Sequence, residues 1–111
     1  MLVAFSVAPS SVGDSVAEPV ADAVAVVRDS GLPYRVDAMF TTIEGEWDEV
    51  FNVIKQATDA VAQYGSRVSL VVKADIRPGR SGELDAKVDR LQNALEDRGG
   101  VANTSTSTNR R

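Results

Sequence analysis

The side chains that could do chemistry in this chain alternate with apolar ones along short segments. If Val3, Val36, Ile43 and Leu70 point to one side of a sheet, then Ala4, Ser6, Arg35, Asp37, Phe40, Thr42, Glu44, Ser69, Val71, Lys73 and Asp75 point to the other. That second face gathers carboxylates, hydroxyls, two cations and an aromatic ring. Alone, such a mixture reads as a solvated sheet face. With Ala4, Phe40 and Val71 among the polar groups, it suits a ligand groove or a subunit interface better. Catalysis finds little support. The 111 residues include no cysteine and no histidine, which removes the thiolate nucleophile, the commonest base near neutral pH and the commonest transition-metal ligand. No resident cofactor or metal is expected.

Other motifs are weaker. Ser10-Ser11-Val12-Gly13 ahead of a helix lacks a phosphate-loop fingerprint. Asp48 and Glu49 suit the positive end of a helix dipole better than a metal. The single Trp47 reads as a core residue. A net charge of −4, with Arg110-Arg111 the one adjacent basic pair, argues against nucleic acid as a partner. No apolar stretch reaches the roughly 18 residues of a membrane span, and the N-terminus lacks the basic region of a signal peptide, so a cytoplasmic protein is expected.

The elements that must position these groups follow from periodicity. Leu2 to Ala8 reads as a strand stopped by Pro9. A helix starts near a Ser15–Glu18 capping box, carries Val16, Val20, Val24 and Val27 as its stripe, and ends at Gly31. Tyr34 to Ala38 and Phe40 to Glu44 form a hairpin. Glu46 to Tyr64 is a second helix with Trp47, Val50, Ile54, Ala57 and Val61 on one face. Arg67 to Ile76 alternates as a strand, and about Glu83 to Asp97 is a last helix with Leu84, Val88, Leu91 and Leu95 in line. The order predicts an α+β, ferredoxin-like βαββαβ sandwich with an additional C-terminal helix. Residues 1–98 make the domain, and 99–111, rich in Thr, Ser and Asn, a disordered tail.

Several of these residues carry a resemblance. Ser30-Gly31-Leu32-Pro33-Tyr34, the Thr42-Ile43-Glu44-Gly45 strand and the Trp47-Asp48-Glu49-Val50 helix start resemble the small thiamine-binding (YkoF-like) family. Lys73-x-Asp75-x-Arg77 looks like its fourth strand, and the likeness spans residues 2 to 97. It implies a ferredoxin-like fold, homodimers or homotetramers formed through the sheets, and non-catalytic binding of thiamine or its hydroxymethylpyrimidine part. Phe40 departs from the family, where a small residue more often follows the methionine. A fixed thiazolium charge suits carboxylates and an aromatic face. An aminopyrimidine suits Glu44 and the nearby hydroxyls. The expected ligand residues are therefore Ser6, Tyr34, Phe40, Thr42, Glu44, Ser69, Lys73 and Asp75. The alternatives are a structural or regulatory oligomer with no ligand, and a cofactor-independent enzyme using a carboxylate base.

Overall fold

A computed structural model describes residues 1–10 and 17–99. The elements are β1 (Leu2–Pro9), α1 (Ala17–Asp29), β2 (Tyr34–Val36), β3 (Thr41–Glu44), α2 (Trp47–Ala62), β4 (Val68–Asp75) and α3 (Glu83–Gly99). The Ser10–Gly13 turn lies mostly, and the tail from 100 onward wholly, outside the described residues. So do Ser15 and Val16 at the expected start of the first helix.

The four strands order as β2-β3-β1-β4, every neighbouring pair antiparallel, which is the ferredoxin-like arrangement. Period-two alternation sorts β1 cleanly. Val3, Phe5 and Val7 are buried beneath α1 and α2, while Ala4, Ser6 and Ala8 face the opposite side. The register puts Ile43 and Ala74 beside Val3, and Thr41 and Val72 beside Phe5, so these also face the helices. Val50, Val53, Ile54, Ala57 and Val61 of α2 complete the core. The Tyr64 hydroxyl donates to the Asp22 carboxylate, joining the end of α2 to α1, and this bond raises the Tyr64 pKa.

Gly45 makes the turn from β3 into α2 possible. A Cβ there would stand 3.1 Å from Val50 Cγ2 and 3.4 Å from Leu32 Cδ1, closer than a packed core tolerates without a shift.

Two stripes differ from the sequence reading. In α1 the buried residues are Pro19, Ala23 and Val27, whereas Val20 is exposed and Val24 half-buried. Pro19 and small Ala23 are buried along with Val27, while Val20 and Val24 line a cleft at one end of β1. Trp47 is 56% exposed instead of buried, because it opens α2 at the rim, where its ring packs on Phe51 at 4.9 Å between centroids.

The third helix touches the other sheet face only with its first turns. Leu84 is half-buried, but Val88, Leu91 and Leu95 on the same stripe are exposed.

Candidate functional site

Strand lengths create a cleft at one end of β1. Met1 and Gly45 exchange both backbone hydrogen bonds, at 2.9 and 3.1 Å. Odd-numbered residues of β1 therefore turn their peptide groups toward β3. The β1–β3 register ends at Phe5 opposite Thr41, so Val7 has no β3 residue opposite it among the described residues. The gap is walled by the Asp37–Phe40 connection, which the Asp37 N–H closes by donating to the Phe40 carbonyl at 2.9 Å, and by Val20 and Val24 of α1. The result is a cleft of about 200 Å³ whose lining includes Ser6, Val7, Val36, Asp37, Met39 and Phe40. Its lining joins apolar residues of β1 and α1 to a serine, an aspartate and a phenylalanine at a strand edge. Whole drug-sized ligands need roughly 300–1,000 Å³, so this volume suits one heterocyclic ring.

Apart from Glu44, the expected ligand residues divide among three places. Ser6 and Phe40 meet in the cleft. Thr42, Ser69, Lys73 and Asp75 share the sheet face away from α1 and α2, with Thr42, Ala4 and Lys73 abreast across the strands. Tyr34 lies opposite Ile43, on the register that faces the helices, and is 38% exposed at the edge strand. It stands apart from the other seven.

Glu44 is the residue whose surroundings the sequence disclosed least. It is buried, and its two oxygens accept the backbone N–H groups of Glu83 at 2.9 Å and Leu84 at 3.2 Å. A carboxylate on the first amides of a helix satisfies donors that have no partner within it and opposes the positive end of its dipole. The helix it serves is α3, whose first residues lie about forty positions further along the chain. Asp75 similarly pairs with Lys87 of α3, and that hydrogen bond holds its carboxyl below the usual range. Arg35 pairs with Asp85.

Sequence reasoning missed the part played by Met39, Val20 and Val24. An isolated methionine exposed to 77% was the one local signal, since the rest of the lining depends on where α1 lands.

A profile of the thiamine-binding protein family matches residues 3–92. The chain belongs to that family. It is 51% identical over 96 residues to a UPF0045 protein of Mycobacterium bovis, covering 86% of this chain and 94% of the relative. A UPF0045 protein of Synechocystis is 35% identical, with 86% and 80% covered. Among solved structures, a Bacillus cereus domain of unknown function superposes with a TM-score of 0.73 at 35% identity, covering 84% of this chain and 90% of that one. A Thermotoga maritima protein proposed to act in thiamine biosynthesis or salvage gives 0.70 at 27% identity, with 81% and 96% covered. No described helix is long and apolar enough to cross a membrane.

Proposed function

We propose that this chain is a non-catalytic binder of thiamine, holding the aminopyrimidine ring in the cleft at the end of β1. The observation that carries the reading is the Val7 peptide edge, left without a β3 residue opposite it and set beside Asp37, Ser6 and Phe40. An aminopyrimidine presents a donor next to a ring-nitrogen acceptor, the pattern a neighbouring strand would present. Asp37 then accepts from the exocyclic amine or balances the thiazolium, which lies outside so small a cleft. Support for binding over catalysis comes from the family's name and from the lack of histidine and cysteine.

The working form is a homodimer or homotetramer in the cytoplasm. Exposed Val71 on the sheet face and Val88, Leu91 and Leu95 on α3 form the kind of apolar surface that a second subunit covers.

Titration calorimetry with thiamine and with free hydroxymethylpyrimidine tests the site. Both should bind, and Asp37→Asn should weaken thiamine by about tenfold, the loss of one charge-assisted hydrogen bond. A Lys73→Ala variant should bind as the native chain does. Loss of binding in Lys73→Ala with full binding in Asp37→Asn would move the site to the open sheet face. Absence of heat with either compound would leave the reading of a ligand-free oligomer.

A further inference from the structure

At the other end of β1 three arginines converge on one carboxylate. Residues 77–80 form a tight turn, with the Arg80 N–H donating to the Arg77 carbonyl at 3.2 Å. Pro78 and Gly79 occupy its centre, and Gly79 has φ +77°, the geometry of a type II turn. The turn places Arg77 and Arg80 at its two corners. Both guanidinium groups face Glu83 Oε1, at 3.4 and 3.8 Å, and Arg90, about two turns along the same face of α3, reaches the same oxygen at 3.0 Å.

Glu83 is buried, with its side chain 8% exposed, while the three arginine side chains are each 48% exposed. The hydrogen bond from Arg90 holds the Glu83 carboxyl below its usual range. One buried charge therefore draws three guanidinium groups together, and each of the three keeps about half of its side chain in solvent. Each guanidinium has five N–H donors, and the contacts to Glu83 use few of them.

Arg77 and Arg80 also line a groove of about 240 Å³ together with Met1, Glu46, Trp47 and Ile76. Trp47 is the residue the core did not use, and it is 56% exposed in the same groove as the arginine pair. A guanidinium fork matches phosphate oxygens, and a flat indole suits a flat ring.

We propose that the Arg77–Arg80 turn and Trp47 form a second binding site for a phosphate or diphosphate group, with the indole receiving the organic part of a phosphorylated heterocycle. Glu83 is a positioning residue that holds the arginines and does not touch the ligand. The site lies at the opposite end of β1 from the aminopyrimidine cleft, so it stands or falls separately from that reading.

Because Trp47 is the single tryptophan, its fluorescence reports on this groove alone. Inorganic pyrophosphate titrated into the full chain, with chloride holding ionic strength constant, should change that fluorescence along a saturating curve. Arg80→Gln should raise the half-saturating concentration about tenfold, as expected for one charged contact, while Arg98→Gln in the last turn of α3 should leave it unchanged. Both variants should melt within a degree or two of the native chain, and Arg80→Lys provides a second reduction if the glutamine variant is less stable. Thiamine diphosphate half-saturating below pyrophosphate shows that the indole takes a ring, and equal values show a site for free diphosphate. A linear response shared with chloride, or Arg80→Gln and Arg80→Lys both indistinguishable from the native chain, overturns the proposal.

Discussion

On one side of the sheet, Val3, Val27, Ile43, Val50, Ala57 and Val61 are fully shut from water between the strands and α1 and α2. On the other side, α3 is attached through Glu44, Arg35–Asp85 and Asp75–Lys87, with three of its four stripe residues in solvent. The first attachment is non-directional and scales with area. The second depends on a few polar groups meeting in fixed geometry and weakens when charges are changed. The lesson is that one sheet carries a layer that cannot leave without unfolding the domain and a helix that can.

The largest effect should come from the core. Ile43→Ala removes a fully buried side chain at the centre of the sheet and should lower global stability by about 2–5 kcal/mol. Urea melts followed by Trp47 fluorescence and by circular dichroism should then shift together. Separate shifts would mean that the core side is less cooperative than the contrast requires.

Glu44→Ala should have a smaller and local effect. Removing the acceptor for the Glu83 and Leu84 amides should cost about 0.5–2 kcal/mol, the range for loss of a helix cap. Hydrogen exchange should speed up across the first turns of α3 and remain slow in β1. Equal acceleration in both would abolish the distinction between the two faces.

Acid should sharpen it further. Asp75 and Glu83 have lowered pKa values, chiefly through hydrogen bonds from Lys87 and Arg90. Their stabilisation is complete above the unfolded carboxylate values of about 4 and is lost as pH falls through the lower folded values. Exchange in α3 should therefore rise below roughly pH 4 while β1 and α2 remain protected. Protection lost simultaneously everywhere would count against a separately held helix.

The sequence made the covered face legible and the other face only in outline. Alternation in β1, and the Val50, Ile54, Ala57, Val61 spacing of α2, depend on local periods that a buried face must obey, whereas the edge strand β4 alternates in sequence but buries no residue and leaves Leu70 exposed. Trp47 has the right spacing for that stripe and still lies outside, because position along the helix, at the rim, decided its burial. In α1 the valine stripe held at Val27 but not at Val20, because the buried line runs through Pro19, Ala23 and Val27. Glu44 was placed on the correct face by alternation, but its partners are backbone amides about forty residues further along, and no local pattern announces them. The cleft likewise exists because β1 outruns β3, a difference of strand length that periodicity does not measure.

The longest ladder in the sheet, β1 with β4, joins opposite ends of the domain: Leu2 sits across from Asp75 and Pro9 across from Val68. β1 is also a central strand, so it cannot be flanked on both sides until β4 exists. Pairings between distant segments require a large loop to close first, which slows folding relative to local contacts. During synthesis β1 thus waits for β4, its second neighbour, with Val3, Phe5 and Val7 only partly sheltered meanwhile. Early pairing with the nearby β3 gives β1 a partner along Leu2 to Phe5, and the stretch beyond it, the floor of the cleft, is completed last.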